Sequence, residues 1–467
     1  MAEAQEANTI EDCLDALRRS LEPKGERLTR DFATFVADAP SGPWPDSVVK
    51  NAKTVIFDTF GVALAASGRA VGQTITRYAA EAGPAPAVAT IIGGNMRVSP
   101  EMAALANGTL ANALDFNESS HITTHVLPAI LSLAERDRRS GKDVLDAFVI
   151  GFEAGTRFAE CFDSARAGQR GPTYRGWWHV GLAGPIAAAM AASRMLGLSR
   201  GQTATAIGIA SSSCGGFRRN MGSMAKPLHS GNAARAGIQG ALLAQKGFTA
   251  DPDILEAPLG FMEAVCRPDE SDLFAVARLG NPFVLAQGMR IKPYPSCARA
   301  HPGLDAILLL QRQTNFSDGD VELIEADLEP FSLLRPNPSD EDEAGFSGAF
   351  LFAAAVVDRA LGLDQISERK IRDPRVIALM HRFKYVPGKK IVVHLRDGRV
   401  LTAPTVAPGG PRIRRLTVEA DILAKYRACA EPVLGRDAAG DLLARLQRLE
   451  EQPTIEDIMA IAARRVA

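Results

Sequence analysis

Residues 45–68 read PDSVVKNAKTVIFDTFGVALAASG, and Val48, Val49, Ala52, Val55, Ile56, Thr59, Val62, Ala63 and Ala66 recur in them at helical spacing. Proline stands in the first turn and Gly68 just past the end, the asymmetry of a helix with one face against a core. The same texture returns in Ala-rich segments near 101–114, 143–163, 181–196, 203–213 and 231–247, and almost nothing before residue 285 alternates with period two. Residues 26–287 are therefore expected to form an all-helical body in which Ala and Gly allow close helix approach.

Beyond residue 285 the pattern changes. Val321 to Leu328 alternates in part, and Lys390 to Thr402 (KIVVHLRDGRVLT) holds two β-branched runs joined through Asp397-Gly398, a strong hairpin signal. A small α+β domain over 288–406 follows. After the turn-rich PGGPR at 408–412, helical texture resumes in 418–430, 437–449 and 454–465, so residues 407–467 are expected to pack back on the helical body. Residues 1–25 are polar and charged and read as an extension. The fold class is mainly α with a smaller α+β domain.

A chain of 467 residues exceeds one small core, and two domains is the natural expectation. Lys plus Arg number 53 against 54 Asp plus Glu, without long like-charge runs, which argues against nucleic-acid or membrane-surface partners and for a small molecule. Six dispersed cysteines without a CxxC pair, and an acidic N-terminus without a signal peptide, point to a reduced, cytoplasmic protein. The longest apolar run, Val180 to Ser193, is too short for a membrane span.

Chemistry concentrates in Ala111 to His125, ANALDFNESSHITTH, with two carboxylates, several hydroxyls and two of the seven histidines. On a continuous helix, Asp115, Glu118, Ser119, His121 and His125 share roughly one half of the cylinder, so one face can serve as a proton relay; the alternative is a solvated polar face. His179, after Trp177-Trp178 and just before the Ala-rich helix from Pro185, sits where a helix N-terminus favours an anion. Lys226, in the apolar phrase Met224-Ala-Lys-Pro-Leu-His229, reads as proton donor or anion clamp, against the blander reading of a snorkelling surface lysine. Arg218 and Arg219 add carboxylate-binding capacity. Lys292, Tyr294, Cys297, Arg299 and His301 lie on a proline-stiffened loop at the domain junction, where clefts tend to form. Cys297 reads as a buried inert thiol before it reads as a nucleophile.

These phrases together resemble the MmgE/PrpD family, which includes 2-methylcitrate dehydratases, cis-aconitate decarboxylases and iminodisuccinate epimerases. The matches are Asp58-Thr-Phe-Gly61, Asn107-Gly-Thr109, Ala113-Leu-Asp-Phe116, Gly176-Trp-Trp-His179, Met224 to His229, Gly247-Phe248, Lys292 to Cys297 and His301-Pro302, in family order. The resemblance implies a helical domain, a smaller lid domain, a homodimer and an interdomain site needing neither cofactor nor metal. It places active-site roles on Asp115, Ser119, His121, His125, His179, Lys226 and Lys292.

The chain departs from the family pattern at Asn117 (a carboxylate there), Ser119 (a threonine), Asn112 (often histidine) and Val126, where Pro-Ser usually follows the histidine. Val-Gly follows His179 in place of Pro-Thr, and Arg299 sits one place beyond the usual arginine. These changes point to a substrate other than methylcitrate, or to lost activity. The expected division of labour has Lys226, Lys292 and His179 clamping carboxylates, with Arg218, Cys297 and His301 also near substrate. His125, oriented by Asp115 and relayed through Ser119 or His121, is the acid or base, and Lys226 is the other candidate for proton transfer. Two other classes stay open: a metallohydrolase, because His121 and His125 have the i,i+4 spacing of a helical metal pair, and a non-catalytic carboxylate-binding protein.

Overall fold

The structure, a computed structural model, describes residues 27–82, 86–162, 171–267, 270–327, 335–386, 388, 391–403, 416 and 418–466. The N-terminal extension and the PGGPR turn lie outside these.

Helix α1 (Leu28–Asp38) precedes α2 (Asp46–Ser67), which begins after Pro45 and is capped by Gly68, as the periodicity requires. The body continues with α3 (Ala70–Glu81), α4 (Pro100–Ala113), α5 (Thr123–Arg136), α6 (Gly141–Phe162), α7 (His179–Leu196), α8 (Arg200–Ser211) and α9 (Ala225–Gln245). Small residues set the spacing at the centre. A Cβ on Gly231 of α9 would lie 2.3 Å from the Leu105 carbonyl of α4, and one on Gly237 would lie 2.4 Å from Ala188 of α7. Backbone-to-backbone packing of this kind is available only without a side chain.

The expectation of an all-helical body needs one correction. Strands β1 (Ala89–Ile91) and β2 (Met96–Val98) form an antiparallel ribbon between α3 and α4. Three-residue strands are too short to register as period two, and the turn residues Gly93 and Asn95, at φ +65° and +51°, carry the signal instead. The helix of His179 also starts earlier than its proline suggested, at His179 itself. Pro185 lies inside α7 because the Gly181 carbonyl, which a proline cannot bond, accepts from Gly215 N at 2.9 Å.

The second unit contains α10 (His301–Thr314), β3 (Val321–Ala326), α11 (Gly348–Asp358), α12 (Pro374–Met380), β4 (Phe383–Tyr385), β5 (Val392–Leu395) and β6 (Val400–Thr402). Its sheet has the order β4-β3-β5-β6, with β3 parallel to β4 and antiparallel to β5. Gly398, at φ +88°, sits in the β5–β6 turn. Leu304, Ile307, Ile324, Phe350, Phe352 and Val393 form a core of its own. Helices α13 (Glu419–Leu434), α14 (Arg436–Gln447) and α15 (Glu456–Ala462) put Ile422, Tyr426, Leu442 and Ile458 into the core of the helical body instead. Among the described residues no single helix is long and apolar enough to cross a membrane.

Candidate active site

The segment 111–125 is not one helix. α4 ends at Ala113 and α5 starts at Thr123, and the loop between them passes through the left-handed region at Asp115 (φ +48°) and His121 (φ +62°). Non-glycine residues in that region are uncommon and concentrate at functional sites. Glu118 holds the loop's second half. Its buried carboxylate accepts from Ser120 N at 2.6 Å, His121 N at 2.9 Å and Thr123 N at 3.0 Å, an anion set against the N–H groups leading into the start of α5.

Asp115 is the centre of the site. Lys226, from the first turn of α9, donates to its Oδ1, and Lys292 Nζ lies 2.9 Å from its Oδ2 and donates to its carbonyl at 2.9 Å. His121 Nε2 is 3.5 Å from Oδ1. Asp115, Lys226 and Lys292 are 5%, 2% and 1% exposed. Burial alone raises a carboxyl pKa, but Lys226, Lys292 and His121 together hold Asp115 well below the usual carboxylate range. Lys226 is lowered by burial, against the pull of Asp115. Two ammoniums facing one carboxylate leave one positive charge over.

Lys292 reaches this point because Ser119 N donates to Arg290 O at 3.0 Å and Glu118 bridges to Ile291, laying the 290–292 backbone beside the loop. Lys226 is aligned by Asn112, whose Oδ1 accepts from it while its Nδ2 donates to Ser230 Oγ at 2.7 Å and Thr124 Oγ1 at 3.2 Å. Asn112 thus supplies the amide acceptor that a histidine there would not.

The relay from Asp115 to His125 needs correcting. Asp115 pairs with the lysines and His121, because the break after Ala113 turns it away from α5. Ser119 Oγ donates to Arg290 O at 3.1 Å and lines a separate hollow of about 540 Å³ with His179. His125, fully buried, finds no hydrogen-bond partner among the described residues for either ring nitrogen, and burial with the neighbouring His179 pulls its pKa down to about 3. His121 is lowered by burial and both lysines; its ring lies 6.1 Å from that of His179, nearly parallel. The Asn117 amide donates to Glu118 O at 2.8 Å, so its oxygen faces His121 Nδ1 at 3.0 Å and places the proton there. The Nε2 lone pair is left toward Asp115.

The remaining candidates make packing and backbone contacts. Arg218 donates to the Thr173 carbonyl at 3.0 Å and ties down the 172–175 turn. Cys297 lies buried among Trp178, Val180, Met221 and Phe346, and burial and Asp115 push its thiol up, opposite to what a nucleophile needs. His301 opens α10, with Nε2 3.2 Å from Ser296 O, and burial and Lys292 bring its pKa to about 3. A cleft of about 650 Å³ runs between the two units, lined by Leu114, Asp115 and Met224 on one side and Pro295, Asp342 and Phe346 on the other. Asp342, which the motifs did not single out, is pushed up to about 6 by burial and by Asp340 and Glu341.

The MmgE/PrpD N-terminal domain matches residues 30–273 and the MmgE/PrpD C-terminal domain residues 294–451. The chain belongs to the MmgE/PrpD family. It is 26% identical to cis-aconitate decarboxylase of Mus musculus over 452 residues, 91% of each chain. It is 27% identical to cis-aconitate decarboxylase of Homo sapiens over 450 residues, 91% of this chain and 92% of that one. The mitochondrial 2-methylcitrate dehydratase of Yarrowia lipolytica is 26% identical over 442 residues, 84% and 82% of the two chains. These relatives are lyase-type enzymes. Among the described residues no three His, Cys, Asp or Glu side chains gather as a metal-ligand set, and the break between His121 and His125 removes the helical pairing behind the metallohydrolase alternative.

Proposed function

We propose that the chain is a cofactor-independent lyase acting on a small di- or tricarboxylic acid, with decarboxylation of the cis-aconitate type as its reaction. One observation carries the reading: two buried lysines, Lys226 and Lys292, converge on Asp115 at the edge of the interdomain cleft, where an entering carboxylate can share them. Loss of CO2 from a polycarboxylate leaves a carbanion whose charge spreads onto a neighbouring carboxylate, and fixed cations at that oxygen are worth several kcal/mol. Lys226 and Lys292 fill this role. Burial is the main cause that keeps His125 neutral, with His179 beside it, and the negative charge of a bound polyanion offsets that penalty, so His125 takes up a proton on binding. It then passes that proton to the carbanion carbon and returns to neutral: the C–CO2 bond breaks, a C–H bond forms, and the proton comes from solvent. Dehydration requires in addition an acid at the departing hydroxyl; decarboxylation needs only the cationic sink and one donor. The 91% coverage of the decarboxylase relatives favours the same choice.

The test is NMR of the purified chain with cis-aconitate in deuterated water, with citrate and 2-methylcitrate alongside. Expected are CO2 release and one deuterium at the protonated carbon. Alkene formation from 2-methylcitrate alone replaces decarboxylation by dehydration at the same site. No turnover and no thermal shift with any of the three overturns the reading. The homodimer implied by the family resemblance belongs to the same proposal and is tested by light scattering.

A further inference from the structure

We propose that Lys425 and Asp58 are positioning residues that fix the backbone at Phe116 and so aim the Asp115 carboxylate; this rests on reading Asp115 as part of the active site. Asp58 lies on α2 and Lys425 on α13, 367 positions apart, and both are buried. The Lys425 ammonium sits 2.7 and 3.0 Å from the two Asp58 oxygens and donates to the Phe116 carbonyl at 2.5 Å, 4.0 Å from the centre of the Phe116 ring. Lysine has three donors, and one of its bonds goes to the residue following left-handed Asp115. Lys292 holds the Asp115 carbonyl and Lys425 the next one, so two lysines from distant segments pin successive peptides of a loop whose backbone does not rest there unaided. Asp58 supplies the countercharge without which an ammonium is not tolerated here. Gly61, one turn along α2, brings α13 close: a Cβ there would lie 3.1 Å from the Tyr426 ring. This gives the Asp58-Thr-Phe-Gly61 motif a task although none of its residues meets the cleft. A core ion pair that only stabilised the fold would need no bond to Phe116.

The experiment compares the full chain with Asp58→Asn/Lys425→Met, which removes both charges together, and with Lys425→Arg, which keeps a charged donor. Amide exchange of the 114–122 peptide, melting temperature, and kcat and KM for cis-aconitate are measured. In the double variant, exchange at 114–122 is expected to rise at least about tenfold with remote peptides unchanged, and kcat to fall about 10- to 100-fold with KM within about threefold, the signature of a displaced group in an otherwise intact site. Lys425→Arg is expected to recover most of both. Should the double variant not fold, Asp58→Asn/Lys425→Gln, which keeps a polar side chain at both positions but is too short to reach Phe116, takes its place with the same expectation. Wild-type exchange at 114–122 and wild-type kcat in a folded variant lacking the ammonium overturn the proposal. If the parent chain turns over no polycarboxylate, the functional reading fails, while exchange at 114–122 still decides whether the strut holds the loop.

Discussion

Two buried carboxylates serve the same loop, Asp58 from α2 and Asp115 within it, and live differently. Asp58 faces one lysine, in a pair enclosed between α2 and α13; Asp115 faces two lysines and a histidine at the edge of an open cleft. Burial dominates the first, so the Asp58 pKa is raised despite Lys425, whereas the cations win at Asp115 and its pKa is lowered. A balanced pair can only hold structure together; a site with surplus charge can receive a ligand. The difference lies in the count of charges and not in the depth of burial, which is similar at the two.

The largest expected effect breaks the balanced pair. Lys425→Met strands Asp58 without a partner and should cost about 3–5 kcal/mol in chemical denaturation, most of it recovered by adding Asp58→Asn. Lys226→Met should behave in the opposite way, because Lys292 still neutralises Asp115: little loss of stability, but a fall of about 10²–10³-fold in kcat/KM. If Lys226→Met unfolds the protein as severely as Lys425→Met, the contrast between the two centres is mistaken. Next, His125→Gln should lose about 10²-fold in rate while still binding substrate, and His121→Gln should lose less; the reverse order in deuterium wash-in moves proton transfer to His121.

Acidification sharpens the comparison further. His125 and His301 have folded pKa values of about 3 and His229 of about 4, below the unfolded 6.5, so the unfolded chain binds more protons between these limits. Stability is therefore complete above pH 6.5 and falls as pH drops toward 3, by about 1.4 kcal/mol per unit for each fully buried histidine. Melting temperature across pH 7 to 4 checks the sign, and His125→Gln should flatten the slope. Substrate affinity should show a different dependence: if binding raises the histidine pKa, affinity falls as pH rises through the value in the complex, with net proton uptake measurable by calorimetry in buffers of different ionisation enthalpy. The smallest effect is expected from Gly61→Ala, about 1–3 kcal/mol, as α13 shifts to admit one methyl group.

Much of the fold is written in local pattern. The 3.6 period of residues 45–68, the Ala-rich repeats and the Asp397-Gly398 turn reappear as α2, α4, α6 to α9 and the β5–β6 hairpin, because each depends on residues a few positions apart. Lys226 and Lys292 were recognisable as site candidates because a lysine in an apolar, proline-flanked phrase is unusual wherever the chain puts it. The partners of those lysines depend on the tertiary fold. The left-handed turn at Asp115 redirected its carboxylate from His125 to the lysines, and no helical periodicity carries that information. Ser230, Asp342 and Lys425 gave no local signal: each is an ordinary residue in an ordinary helix or turn until α9, α13 and the interdomain cleft bring it into place. Sequence determined which groups are costly to bury, since that is a property of each side chain and its neighbours in the chain; tertiary structure decided which charge each one meets, since electrostatic energy depends on distances set by segments hundreds of residues apart.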